Sequence, residues 1–203
     1  DYIKCGAIKA IVDNFSKYTA GNGIIELRRL ISKKLHEDNN LEYTTDEICA
    51  TVGAKQAIFN SIMALVDPGD EVLLPVPCWV SYTEMIKFAG AKPVFVDVEA
   101  ETFDLDIEAL EKAVTTKTKA IVICTPNNPT GAVATEEFYK EVVAFANKYQ
   151  VGIISEDFDG SKVDLNESSD PAFSTTQQNG NGIDLGLGMY YIRGQWYAGV
   201  SAQ

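Results

Sequence analysis

This chain of 203 residues has one histidine, His36, and four cysteines scattered at Cys5, Cys49, Cys78 and Cys124. Such spacings match no metal-ligand pattern and leave no histidine to serve as base beside a cysteine nucleophile. They fit a reducing, cytoplasmic setting. Positive charge is also scarce. Against 29 Asp and Glu stand 17 Lys and Arg, a net charge of -12 with no basic cluster. That balance repels the phosphates of nucleic acid and of anionic membranes, so neither is expected as a partner. No apolar run approaches the length of a membrane-spanning helix, and the N-terminus carries no signal-peptide pattern. The nucleotide-binding patterns G-x-G-x-x-G and G-x-x-x-x-G-K-[ST] are missing too. Acidic clusters such as "EDFD" read as solvated turns before they read as metal or glycosidase sites, and His36, in "KKLHEDNN", reads as a solvated residue near a helix end.

What remains is a chain long enough for a sizeable core, with 46% hydrophobic and 23% charged residues. Apolar residues recur at helical spacing from Ile3 to Lys17 and over 24–38, with the glycine-rich turn "YTAGNG" between them. A short extended piece at 47–54 leads into a helix over 54–66, the turn "DPGD", and a strand over 71–77. A helix over 79–90, a strand over 92–98, a helix over 106–114 and the strand "KAIVIC" (119–124) continue the alternation. A helix over 135–149 and a strand over 151–155 complete it. The strands are continuous apolar runs, which predicts a mainly parallel sheet covered on both faces, a three-layer α/β/α domain. From Glu156 the text changes. The stretch 166–188 is polar, glycine-rich and weakly periodic, so 156–203 is expected to be a divergent tail containing a long loop or linker.

Ligands of open α/β sheets bind beyond the carboxyl ends of the strands. Three loops qualify. In "VGAKQA", Gly53 closes a strand and opens a helix whose free N–H groups suit a phosphate, although a plain glycine cap reads the same way. In "PVPCWVSY", Trp79 follows a strand end, where an aromatic is either core or ligand platform. In "TPNNPTG" (125–131), Asn128 presents an amide between two prolines, or else forms an ordinary turn.

The segments "KYTAGNGIIELRRLISKKL", "TVGAKQAIFNSIMALVDPGDEVLLPVPCWVSYTEM", "AGAKPVFV" and "TKAIVICTPNNPTGAV" together resemble the fold type I pyridoxal-phosphate aminotransferases of class I, the aspartate aminotransferase-like branch. The resemblance runs from about residue 2 to 155. It implies pyridoxal 5'-phosphate as cofactor and an amino acid and a 2-oxo acid as substrates. The backbone of Gly53, Ala54 and Lys55 would cradle the phosphate, Trp79 would stack on the pyridine ring, and Asn128 would bond the ring's 3'-oxygen. Tyr18 matches a tyrosine that reaches the partner subunit's phosphate site, which implies a homodimer.

Further on the chain departs from the family's S-D-E-I/V-Y. Counted from Asn128, Glu156 takes the place of the aspartate that bonds the pyridinium nitrogen, and Asp159 the place of the tyrosine. With a one-residue slip, Asp157 is the acid instead, and both remain candidates. Laying the family pattern on "NGIDLGLGMYYIRGQWY" puts Leu185 where the covalently bonding lysine belongs, and leucine has no amine. Arg193 falls on the phosphate-binding arginine, or is a surface residue. No catalytic residue is therefore readable. The chain is expected to be a single cofactor-binding domain over 1–203, incomplete at both ends. Two further readings stay open. One is a non-catalytic remnant that binds the cofactor without the lysine. The other is an unrelated phosphate-binding α/β domain that uses only the Gly53 loop.

Overall fold

The computed structural model describes residues 2–157, 185–192 and 195–202, with side chains through Glu156. Helices and strands alternate in the order the apolar periodicity predicts. They are α1 (Tyr2–Val12), α2 (Ile25–Asn39), β1 (Ile48–Val52), α3 (Gly53–Leu65), β2 (Glu71–Val76) and α4 (Val80–Phe88). There follow β3 (Lys92–Asp97), α5 (Ile107–Ala113), β4 (Thr118–Thr125), α6 (Glu136–Tyr149) and β5 (Gly152–Asp157). Short polar side chains set several boundaries. The Ala109 N–H donates to Asp106 Oδ1 at 2.9 Å to open α5, and the Phe138 N–H donates to Thr135 Oγ1 at 3.2 Å to open α6. The Thr44 N–H and hydroxyl both donate to the Glu47 carboxylate, a capping box on the one-turn helix before β1.

Two differences from the sequence reading stand out. Helix α1 stops at Val12, short of Lys17, because Asn14 takes a left-handed conformation (φ 59°) and the Phe15 N–H turns back to the Ala10 carbonyl. The loop or linker expected over 166–188 lies outside the described residues as far as 184, and from Leu185 the chain forms β6 (Leu185–Ile192) and β7 (Gln195–Ala202). Glycine at 186, 188 and 199 lowers the strand propensity that would have announced them.

All seven strands join one sheet in the order β1-β7-β6-β5-β4-β2-β3. The pairs β2/β3, β2/β4, β4/β5 and β1/β7 are parallel, whereas β5/β6 and β6/β7 are antiparallel. The sheet is thus mainly parallel, as expected of α/β alternation. The antiparallel part is the β6–β7 hairpin, whose strands are separated by two residues, too few for a parallel crossover.

Side chains alternate between two cores. On one face Ile58 and Ile62 of α3 and Tyr82, Met85 and Ile86 of α4 pack on Val72, Leu74, Ala120, Val122 and Ile154. On the other, Leu110 of α5 and Val142, Phe145 and Ala146 of α6 pack on Leu73, Val96, Ile121, Ile123 and Ile153. Neighbouring residues of one strand therefore serve opposite layers. A third cluster ties α2 to β1 through Ile31, Leu35, Tyr43 and Ile48. There the buried Arg28 donates to the carbonyls of Gly23 (3.2 Å) and Thr45 (2.6 Å). No described helix is long and apolar enough to cross a membrane.

Glu71, at the start of β2, is 8% exposed and accepts from Thr115 Oγ1 (2.6 Å) and Lys92 Nζ (3.2 Å). The Thr115 hydroxyl, against the opposing cost of burial, and then Lys92 hold its carboxyl below the ordinary range. A carboxyl that is a stronger acid when folded stabilises fully above its unfolded pKa of about 4.3 and loses that contribution as pH falls through the folded value. Urea midpoints should therefore separate Glu71→Gln from the parent at pH 7 and draw together at pH 3. A gap that stays constant across that range would show that the carboxylate's charge is irrelevant.

Candidate functional site

Strands β1, β2, β4 and β5 run parallel, so the loops that follow them gather along one rim of the sheet. At β1 the chain enters α3 with no intervening loop. Gly53 is buried and takes φ 80°, a conformation that strains any side chain. Val52 before it provides no side-chain cap. Among the described residues, the first amides of α3, at Gly53, Ala54 and Lys55, thus remain open for an anion at the positive helix end.

Trp79 is the residue before α4 and is half-buried. Lys55 Nζ lies 4.8 Å from its ring centroid, a cation–π contact that joins the α3 and α4 entrances. Tyr82, three residues on and hence on the same helix face, meets the Trp79 ring edge-on with centroids 5.4 Å apart. The Tyr82 hydroxyl donates to Glu156 Oε2. A continuous line of contacts thus runs from Lys55 through Trp79 and Tyr82 to Glu156, across the ends of β1, β2 and β5.

Sequence reasoning names the two ends of that line and Trp79 but misses Tyr82. The available signal was the Trp-x-x-Tyr spacing of "WVSY". Burial, followed by the nearby Cys124 and Glu156, pushes the Tyr82 hydroxyl far above the usual phenol range, so it stays a donor at any working pH. Cys124 of β4 is the direct strand neighbour of Glu156, while Asp157 is paired with Thr125 and Leu187.

The loop of Asn128 closes on itself through Asn127. The Asn127 N–H donates to the Ala132 carbonyl and the Gly131 N–H to the Asn127 carbonyl, both at 2.7 Å, while Asn127 Oδ1 accepts from the Thr130 hydroxyl at 3.0 Å. Asn127 is thereby committed to the turn, and Asn128 is presented at the surface. Beneath the loop a cavity of about 50 Å³ is lined in part by Tyr82, Cys124, Asn127 and Thr130, which places the loop beside the Tyr82–Glu156 contact. Tyr18, by contrast, is fully exposed between α1 and α2. Arg193 lies outside the described residues. Leu185 is the first residue of β6, paired with Ala202. Among the described residues no group of His, Cys, Asp or Glu is placed to hold a metal.

The donor set is therefore an anion cradle, an aromatic face, an exposed amide and a tyrosine-held carboxylate. It suits a planar, phosphorylated ring with a basic nitrogen.

Known proteins similar to this chain are aminotransferases. A probable aspartate/prephenate aminotransferase of Rickettsia conorii is 45% identical over 159 residues, which is 77% of this chain and 40% of that protein. One from Aquifex aeolicus is 46% identical over 158 residues, with the same coverage. Aspartate aminotransferase from Thermus thermophilus with maleate superposes with a TM-score of 0.72 at 41% identity, over 75% of this chain and 40% of that one. The chain thus spans about 40% of the length of the curated relatives it matches. Residues 140–203 also match a second family, the type IX secretion system membrane protein PorP/SprF. Residues 7–158, three quarters of the sequence and every described element of the rim, match aminotransferase class I and II, and this chain belongs to that family.

Proposed function

We propose that this domain binds pyridoxal 5'-phosphate and is the cofactor-binding part of an aminotransferase, which passes the amino group of an L-amino acid, aspartate among the candidates, to a 2-oxo acid. The observation that carries the proposal is the line of contacts from Lys55 to Glu156. The amides of Gly53, Ala54 and Lys55 receive the phosphate, and Arg193 is a second phosphate ligand by its place in the family pattern. Trp79 stacks on the ring, and Asn128 donates to the ring oxygen. Glu156 holds the proton on the ring nitrogen, and it is favoured over Asp157 by its bond to Tyr82. The bound cofactor supplies an electron sink for negative charge at the substrate's α-carbon. A negative carboxylate beside the ring nitrogen favours its protonated form and sustains that chemistry.

A homodimer is supported by the outer surface of α1. That helix buries none of its residues and exposes Ile8, Ile11 and, just beyond it, Phe15, next to the fully exposed Tyr18. Tyr18 would then serve the partner subunit's phosphate site. A cytoplasmic setting accords with four free cysteines.

A second reading, that this chain holds the cofactor without transaminating, is favoured by where the matches fall. The aminotransferase match ends at residue 158, ahead of Leu185 and Arg193, and the match to the secretion-system membrane family covers that stretch. Intact mass before and after borohydride reduction, with peptide sequencing of 156–203, separates the two. Saturable, reversible cofactor binding with no reduced adduct is expected of a chain with leucine at 185. A reduced adduct together with a lysine found at position 185 would establish the active enzyme. Failure to bind the cofactor at all would sink both readings.

A further inference from the structure

We infer that Cys78 and Cys124 form a paired modification site, which a small organic disulfide such as oxidised glutathione converts to a Cys78–Cys124 disulfide across the cavity beneath the Asn128 loop. The crosslink stands apart from the cofactor reading above, whereas its effect on the ring contacts rests on that reading.

The fold brings together two of the four cysteines. Cys5 is exposed on α1, and Cys49 lies on β1 with β7, β6 and β5 between it and β4. Cys78 and Cys124 are both half-buried, both pack on the core shared by α3, α4 and β2, and both line the same cavity of about 50 Å³. The backbone accounts for the meeting. Strands β2 and β4 are parallel neighbours that pair Leu73 with Ile121, so they end side by side at Val76 and Thr125. Cys124 shares a core face with Val122, two residues before it, and Cys78 reaches that face from the link between β2 and α4. Burial first and then Cys124 push the Cys78 thiol above its ordinary range, which accords with two sulfurs in one pocket.

The chemistry favours closure. A disulfide needs its Cβ atoms about 3.5–4.5 Å apart, a span that neighbouring strands about 4.8 Å apart can present. The cavity gives both sulfurs room to turn, which a close-packed interior denies. One cysteine thiolate attacks the small disulfide, keeps one half and expels the other as a thiol. The second thiolate then attacks the protein-bound sulfur and expels the remaining half. Two protein S–H groups are oxidised to one S–S bond, while the small disulfide is reduced to two thiols that take up the two protons. In a reducing setting the dithiol is the resting state.

The new bond reaches the ring contacts from two sides. Cys78 immediately precedes Trp79. Cys124 Sγ donates to the Pro126 carbonyl at 3.3 Å, at the root of the Asn128 loop. A disulfide sulfur has no hydrogen to donate, so closure draws the indole toward β4 and loosens the loop.

The test uses a chain with Cys5→Ser and Cys49→Ser, in which only the pair remains, equilibrated with reduced and oxidised glutathione, acid-quenched and mapped by mass spectrometry. One intramolecular Cys78–Cys124 linkage with no retained glutathione is expected, and the parent chain mapped in parallel guards against a folding defect in the serine background. Folding should favour the linkage by about tenfold or more over the same chain in concentrated urea. Two thiols persisting in the folded chain, glutathione held on either cysteine, or equal closure in urea would overturn the inference. Affinity for 4'-deoxypyridoxine 5'-phosphate, which has no aldehyde to react with amines or thiols, should fall about threefold to tenfold on oxidation, the worth of one neutral hydrogen bond. An affinity that oxidation leaves unchanged would remove the effect on the ring contacts and leave the crosslink standing. If the reduced chain does not bind this probe, the cofactor reading fails, while the mass map still decides the crosslink.

Discussion

Gly53→Val should weaken binding of pyridoxal 5'-phosphate by about a hundredfold or more. The loss has two sources. At φ 80° a β-branched residue is strained by roughly 1–2 kcal/mol, so the first turn of α3 must rotate away from the ligand. Amides displaced from a phosphate forfeit hydrogen bonds to a charged group, about 1.5–3 kcal/mol each. Even 3 kcal/mol of combined loss is on the order of a hundredfold in Kd. Fluorescence titration with the cofactor measures it, and far-UV circular dichroism verifies that α3 persists. Gly53→Ala should fall between parent and valine. An affinity within threefold of the parent for the valine variant would remove the α3 entrance from the site.

The largest effect on stability is expected at Leu74→Ala. Leu74 is fully buried at the centre of the β2 strand, in the core shared by α3, α4, β2, β4 and β5. Truncating it removes transfer energy and leaves a cavity that five converging elements cannot close, a loss of about 3–4 kcal/mol. For a chain of this size that lowers Tm by roughly 6–16 °C. Phe88→Ala removes a larger side chain from a position that is 74% exposed, and should cost far less. Thermal and urea unfolding of the two variants side by side would check the contrast. Equal losses would mean that the β2 core relaxes around the gap.

These two positions also show what the amino-acid text makes visible. Gly53 is legible because glycine between an extended run and a helical one has few purposes. Leu74 is legible because a central parallel strand is apolar on both faces. The same logic places β1 to β5 and α2 to α6 within a residue or two. Tyr82 and Cys124 are not legible, since their role depends on α4 being laid over β4 and β5, an alignment no local pattern encodes. The choice between Glu156 and Asp157 is hidden for a related reason. On a strand, consecutive residues belong to opposite faces, and a one-residue slip in a motif exchanges them. The hairpin of β6 and β7 escapes notice because leucine and glycine alternate over 185–188, where the first strand begins, and because the aminotransferase text stops before it.

The strand order carries a last consequence. Of the strands within the aminotransferase match, β1 touches the others only through β7 and β6, which lie between it and β5. Cut away after Asp157, the remaining chain would hold two bare edges facing each other across a slot two strands wide, about 14 Å from β1 to β5 at the usual spacing. Each edge would carry a row of unpaired amides and carbonyls, a template for any β-hairpin of matching length. The β6–β7 hairpin therefore pairs both of those inner edges and leaves the sheet only its two outer ones, on β1 and β3. Supplied as a separate peptide, it would be the piece most apt to rescue a truncated chain from aggregation.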